Sequence, residues 1–159
     1  MPQPEVFEVE AERPEDLERV VAAMVELGTA QRGWITLQPG IHPDDAPRPQ
    51  SIIGKVFTAH GPPVPVCTWV APQPKQKPPH PEIGVLHGRG PKAEQRLAAL
   101  GQTVPDHWVV LADHSKRGLV IAIHPDTDPH DVLSWLMAAG TALTMIPVAG
   151  KWRVELHRG

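Results

Sequence analysis

The fold is decided by residues 83–124, IGVLHGRGPKAEQRLAALGQTVPDHWVVLADHSKRGLVIAIH, in which short apolar runs alternate with a longer, charge-bearing stretch. Runs that are short and rich in β-branched residues are typical of strands, and the longer stretch is typical of a helix. In chain order the pattern predicts a strand at Ile83 to His87, a helix at Pro91 to Leu100, and strands at His107 to Ala112 and Gly118 to His124.

The remaining residues of the second half complete a recognisable arrangement. They predict a helix from Pro129 to Thr144 and a strand from Trp152 to His157, so the order is βαββαβ. Strands joined by a helical crossover lie parallel, whereas the short link Asp113 to Arg117 requires an antiparallel hairpin. A ferredoxin-like sheet satisfies both conditions. We therefore predict an α+β fold in which residues 82–159 form a ferredoxin-like sheet-and-helix layer.

The first 38 residues predict a βαβ segment. Apolar and acidic residues alternate from Phe7 to Ala11, as in a half-buried strand. Pro14 suits the first position of a helix, Gly28 is placed to end it, and Gly33 to Gln38 is strand-like.

Proline dominates residues 39–81, which hold 12 of the 20 prolines. Because proline lacks an N–H group and fixes φ, no long helix crosses this region. The segments Pro39 to Gln50 and Pro72 to Pro81 predict loops, Val64 to Val70 predicts a strand, and Ser51 to Ala59 fits a strand or a short helix. We predict a single domain over residues 1–159, with 1–38 and 39–81 extending the sheet of residues 82–159.

The predicted terminal helix has almost no polar face, because apolar residues point in every direction between Val132 and Ile146. Its outer side must be covered. Two alternatives stand at this point: the N-terminal segment, or a second copy of the chain in a homodimer.

Composition excludes several classes of protein. The chain has 159 residues with 41% hydrophobic and 21% charged residues, as in ordinary globular domains. It has no apolar run of membrane-spanning length and no signal-peptide pattern, so we expect no membrane association and a cytoplasmic location. A formal net charge of −3 argues against nucleic acid as a partner. The single cysteine, Cys67, excludes an internal disulfide, and no motif predicts a cofactor.

The best candidate site lies where the glycine-rich connection after Ile83–His87 enters the next helix. Unpaired amides at a helix N-terminus favour an anion. In the predicted topology this connection shares one end of the sheet with Asp113 to Arg117 and with Ala149 to Lys151. The predicted ligand-binding residues are His87, Gly88, Arg89, Gly90, Lys92, His114, Lys116 and Arg117. The alternative is that the glycines form a tight turn and the basic residues are solvated.

The opposite end of the sheet collects potential metal ligands, namely His124, Asp126, Asp128 and His130. Their spacing matches no established metal motif. We expect Thr127 or Asp128 to cap the N-terminus of the terminal helix and Asp131 to charge its first turn, and we predict no metal. Cys67 is expected to be a buried hydrophobe and all five tryptophans to lie in the core, while nothing places His42 and His60.

These patterns favour a small non-enzymatic binding protein that engages an anionic ligand or a protein partner at the basic end of the sheet. The alternative is a hydrolase or transferase for a phosphorylated or carboxylated small molecule, with His87 or His114 as acid or base. An RNA-binding module is a third hypothesis, disfavoured because the chain lacks both surplus positive charge and aromatic RNA-binding motifs.

Overall fold

The computed structural model describes residues 3–41 and 61–159, in which seven strands form one antiparallel sheet packed with three helices. In chain order these elements are β1 (Glu5–Glu10), α1 (Pro14–Ala30), β2 (Trp34–Ile41), β3 (Val66–Val70), β4 (Glu82–Leu86), α2 (Ala93–Ala99), β5 (Val109–His114), β6 (Gly118–Ala122), α3 (Pro129–Leu143) and β7 (Val148–His157). The strand order across the sheet is β1-β7-β2-β3-β4-β6-β5.

Three strands of the predicted ferredoxin-like order are present. Strand β6 lies between β4 and β5, which are joined by α2 and therefore run parallel to each other. The fourth strand is elsewhere: β7 pairs with β1 and β2, and β2 and β3 separate it from β4. The ferredoxin-like order, which would place β7 beside β4, is therefore not present, because the parallel strands β1 and β2 leave a gap that β7 fills. The predicted alternation of β7 is present, with Trp152, Val154 and Leu156 buried on one face.

The first part of the chain extends the same sheet, as predicted. Strands β1, β2 and β3 belong to the single seven-stranded sheet. Cross-strand partners share a face, and the pairs Leu37 with Cys67 and Cys67 with Val85 place buried side chains of β2, β3 and β4 on one face. The core includes residues of all three helices, and fully burying each large apolar side chain contributes about 1.5–3 kcal/mol.

Several element boundaries differ from the predicted ones. Helix α1 does not end at Gly28 but continues to Ala30, where Gln31 takes the left-handed conformation (φ 54°). The positive φ that requires glycine lies further on, at Gly33, where an added Cβ would come within 2.5 Å of the His157 carbonyl oxygen.

In the proline-rich region the boundaries also move. Strand β2 continues through Pro39 to Ile41, residues that were predicted to begin a loop. Residues 42–50, the ambiguous segment Ser51 to Ala59, and the histidines His42 and His60 lie outside the described residues.

The apolar helix α3 is covered by its own chain. It contacts α1 and α2 as well as strands β2, β3 and β4, and only a narrow set of residues stays exposed: His130, Asp131, Ser134, Ala138 and Thr141. Of the two predicted alternatives, the N-terminal segment covers the helix, so its composition does not call for a second chain. Within residues 3–41 and 61–159, no helix combines the length and the hydrophobicity needed to cross a membrane.

Helix α3 approaches the sheet most closely at Gly140. An added Cβ at this position would lie 2.6 Å from the Cys67 sulfur and 3.1 Å from the Trp152 ring. Cys67 is completely buried, as predicted, and burial raises the pKa of its thiol to about 12. The thiol therefore stays protonated and acts as a packing group rather than a nucleophile.

Replacing Gly140 with alanine should destabilise the fold although alanine favours a helix, because the methyl group collides with the Cys67 sulfur. We expect Gly140→Ala to lower the free energy of unfolding by about 1–3 kcal/mol in urea denaturation. In a Cys67→Ala background the same change should cost clearly less, since the double-mutant cycle removes the collision. Equal costs in both backgrounds would contradict this account of the contact.

Candidate ligand-binding rim

The connections after β4 and between β5 and β6 meet at one end of the sheet, which we call the basic rim (residues 87–92 and 113–117). Strands β4 and β6 are antiparallel, and Val85 pairs with Leu119, so the end of β4 adjoins the start of β6. At Gly118, where φ is +77°, an added Cβ would come within 2.3 Å of the Val85 carbonyl oxygen. The predicted geometry, in which these two connections share an end of the sheet, is therefore present.

His87 lies beneath this rim rather than on it. Its side chain is completely buried, and its Nδ1 accepts a hydrogen bond from the Arg89 backbone N–H at 3.1 Å. Burial lowers the pKa of His87, an effect that the nearby Asp113 carboxylate opposes. The ring is therefore neutral near pH 7, with its remaining proton on Nε2, which has no hydrogen-bond partner in the structure.

The N-terminus of α2 already holds a carboxylate of the chain itself. Asp113 Oδ1 accepts from the Ala93 N–H at 2.9 Å, and Oδ2 accepts from the Glu94 N–H at 3.1 Å. The amides that the sequence assigned to an anionic ligand are thus occupied. Sequence reasoning missed Asp113, although its place at the end of β5, on the rim shared with the helix start, was the available signal.

Arg89 reaches towards the end of α3. Its guanidinium donates to the Thr144 carbonyl oxygen at 2.7 Å, and Gly88 lies so close to Met145 that an added Cβ would meet its sulfur at 2.9 Å. The connection from α3 to β7 therefore meets the basic rim through Thr144 and Met145.

Ala149 to Lys151 do not take part, which corrects the prediction. Strand β7 begins at Val148, before the predicted start at Trp152, and Lys151 pairs with Glu10 of β1 instead. The chain needs these residues as strand because β1 would otherwise lack its partner.

The cations of the basic rim are exposed and lack carboxylate partners among the described residues. These are Arg89, Lys92, Lys116 and Arg117, and His114 is exposed beside them. Arginines near β1 and β7 behave differently, because Arg13, Arg19, Arg153 and Arg158 each lie within 3.8 Å of a glutamate oxygen. The basic rim thus carries four of the nine described lysines and arginines that lack a carboxylate partner. The other five are Arg32, Lys75, Lys77, Arg96 and Lys151.

Removing the Asp113 carboxylate should destabilise the protein, because two amides at the start of α2 would lose their acceptor. We expect Asp113→Ala to lower the free energy of unfolding by about 0.5–2 kcal/mol in urea denaturation. Asp113→Asn keeps one acceptor oxygen, so we expect a smaller loss. Stability equal to the parent protein in both variants would show that the amides do not depend on this side chain.

At the opposite end Asp128 caps the terminal helix, as predicted, and His124 caps a turn, which was not predicted. Asp128 Oδ1 accepts from the His130 N–H at 2.9 Å at the start of α3, and His124 Nδ1 accepts from the Asp126 N–H at 3.2 Å. In the described part of the chain, no three histidine, cysteine or acidic side chains come together as a metal site.

His130 connects the two longest helices. Its Nδ1 lies 2.9 Å from Asp128 Oδ1, and its Nε2 lies 2.6 Å from Glu18 Oε1 of α1. Hydrogen bonds to Asp128, and then to Glu18, raise the pKa of His130 above its usual value. The charged form therefore donates from both ring nitrogens and links α3 to α1.

The raised pKa has a consequence for pH dependence. Stability from this link is fully present below the pKa of His130 in the unfolded chain, and is lost as the pH rises through the higher folded-state pKa. Glu18→Gln should lower the pKa of His130, measured by an NMR titration of its imidazole carbons. Glu8→Gln, a matched change at an exposed position of β1, should leave the pKa of His130 unchanged. An unchanged His130 pKa in the Glu18→Gln variant as well would contradict the link.

Four of the five tryptophans are buried, but Trp34 is not. It is 36% exposed at the start of β2, where its ring stacks on His157 of β7 with centroids 4.5 Å apart. The expectation that all five lie in the core is wrong at this position, because Trp34 alternates with the buried Ile35 and so faces away from the helices.

The chain matches no family model, and neither a curated protein nor a solved structure is detectably similar to it.

Proposed function

We propose that this protein is a small non-enzymatic binding protein whose basic rim engages an anionic ligand or an acidic segment of a protein partner. One observation carries the proposal: exposed cations gather there without carboxylate partners in the described residues. Unpaired cations on one surface create a local positive potential that attracts anions even on a molecule of negative net charge.

The local charge balance supports this reading. Residues 87–96 and 113–117 hold five cations, Arg89, Lys92, Arg96, Lys116 and Arg117, against the two carboxylates Glu94 and Asp113. One of those carboxylates, Asp113, is engaged by the amides of α2. Its negative charge compensates the helix amides, so the surrounding cations remain available to a partner.

The framework also suits binding. The rim is carried by β4, α2, β5 and β6, three strands in ferredoxin-like order with their crossover helix, and we propose that this unit presents the site on a ferredoxin-like layer. Backbone contacts at Gly118 and the Asp113 cap hold its two connections together. A preorganised surface loses less entropy when a partner binds.

Binding is better supported than catalysis. An acid or base must reach the proton it transfers, and of the two candidate histidines the His87 ring is completely buried, with Nδ1 already accepting from the Arg89 N–H. This leaves only the exposed His114 of the pair. RNA binding has less support again, because the exposed Trp34 and its partner His157 lie at the beginning of β2 and the end of β7, where the rim cations are absent.

The rim can be tested by titrating pyrophosphate and a pentaglutamate peptide into the protein and measuring affinity by calorimetry at low and moderate salt. Lys116→Ala combined with Arg117→Ala should weaken binding by about 1 kcal/mol, or roughly fivefold, as expected for exposed ion pairs. Binding by the parent protein should also weaken as salt is added, because salt screens exposed charges.

Lys75→Ala combined with Lys77→Ala is the matched control. It removes the same charge from exposed residues in the connection between β3 and β4, at the other end of the sheet. Binding should then stay near the parent value. Equal weakening in the two double variants would show that binding depends on net charge and not on the basic rim. The proposed function would be contradicted if neither pyrophosphate nor pentaglutamate binds.

A further inference from the structure

A second candidate site lies at the end of the sheet opposite the basic rim. An open groove runs between the segment that follows α2 and the exposed residues of α3. It is lined by, among others, Pro105, His107, Trp108, Thr127, Asp131 and Trp135. We call it the Trp108 groove, and none of its lining residues belongs to the basic rim.

Two buried polar atoms on residues that line this groove lack a partner. Trp108 is only 5% exposed, yet its indole N–H has no hydrogen-bond acceptor, and the Thr127 hydroxyl is also unpartnered. Trp135 shows the contrast, because its indole N–H donates to the Thr103 carbonyl oxygen at 3.0 Å. A buried donor without an acceptor is costly in a folded protein, so a ligand group or a water molecule that reached these atoms and accepted from the indole N–H would be favoured there.

The floor of the groove is aromatic. The Trp108 and Trp135 rings lie 5.5 Å apart in an edge-to-face arrangement, with Pro105 and Ala138 beside them. Indole rings bury apolar groups favourably and attract cations to their faces.

The walls of the groove carry negative charge. Residues 97–112 and 118–150 contain no lysine or arginine, but they do contain Asp106, Asp126, Asp128 and Asp131. Of these, Asp131 lines the groove and is exposed. His130 is the nearby group with a raised pKa, and its charge faces Glu18 and Asp128. Charge complementarity therefore favours a cation over an anion.

We propose that the Trp108 groove binds a small amphipathic organic cation. Its apolar ring or chain would pack on the two indoles, a carbonyl or similar acceptor would receive the Trp108 N–H and the Thr127 hydroxyl, and its ammonium group would lie near Asp131. This combines the three properties of the lining, and it is independent of the anionic partner proposed for the basic rim.

Four probes separate the three features. Phenylalaninamide has the ring, the carbonyl and the ammonium group; N-acetylphenylalaninamide lacks the charge; phenethylamine lacks the carbonyl; and 3-phenylpropanoate reverses the charge. Titrations of the full chain are followed by NMR. Phenylalaninamide should move the indole N–H signal of Trp108 and the amide signals of Thr127 and Ser134 in a saturable way, and more strongly than each of the other three.

Two conservative variants test the contacts. Trp108→Phe keeps an aromatic ring but removes the N–H, and should weaken phenylalaninamide binding about fivefold, read from the Thr127 and Ser134 signals. Asp131→Asn should weaken it about threefold. Trp34→Phe and Glu8→Gln, equivalent changes on β2 and β1, should leave the affinity unchanged, and melting curves verify that all four variants are folded.

The proposal is overturned if phenylalaninamide causes no saturable shift, or if 3-phenylpropanoate binds as tightly. It is also overturned if Trp108→Phe and Asp131→Asn bind as the parent protein does, which would leave an ordered water as the partner of the indole N–H. Signals confined to residues 87–92 and 113–117 would likewise reject this groove, without bearing on whether anions bind the basic rim.

Discussion

Strand β7 joins β1 to the rest of the sheet. It lies between β1 and β2, which run parallel because α1 joins them, and it pairs antiparallel with both. Without β7, the β1 strand would have no neighbour in the sheet, and the Trp152, Val154 and Leu156 side chains would leave the core. The two sides of the sheet thus have the same arrangement, in which a helix joins two parallel strands and a third strand lies between them. The third strand is β7 between β1 and β2, and β6 between β4 and β5.

The Asp113 cap governs the chemistry of the basic rim. The carboxylate accepts from two amides of α2, so its negative charge compensates the positive end of the helix dipole. The cations around it have no carboxylate partner among the described residues. His87, beneath the same surface, is a neutral buried group that accepts from the Arg89 backbone. An exposed charged layer thus lies above a layer in which the α2 amides and His87 Nδ1 are hydrogen-bonded and the buried His87 Nε2 is not.

Local patterns in the sequence predicted the elements well. The period-two alternation of β7, the hairpin between β5 and β6, and helix α3 from Pro129 all follow from short-range rules. What could not be predicted is which distant segments pair. The alternation of Trp152, Val154 and Leu156 indicates one buried face but carries no information about neighbours, so β7 fitted beside β4 as well as between β1 and β2.

For the candidate sites too, part of the geometry could be predicted from the sequence and part could not. Topology was sufficient to bring the connections after β4 and β5 to one rim, since strand direction alone decides this. The contacts of individual side chains could not be predicted, because they depend on the exact register. Examples are the Asp113 carboxylate on the α2 amides, the inward orientation of His87, and the orientation of Trp34 away from the helices. The missing acceptor of the Trp108 N–H could not be predicted from the sequence either, because it depends on which residues pack around the ring.

The position of β7 also bears on biosynthesis. Its register couples Glu5 with Leu156 and Glu10 with Lys151, so the earliest strand translated pairs with the last of the seven. Until β7 has been synthesised, β1 and β2 cannot complete their hydrogen bonds. Before that point, the apolar residues of β1 and α1 lack the β7 side chains with which they share the core of the folded protein. Such non-local pairing slows folding and prolongs the exposure of unpaired edges. The N-terminal side of the sheet can therefore be completed only after β7 has been synthesised.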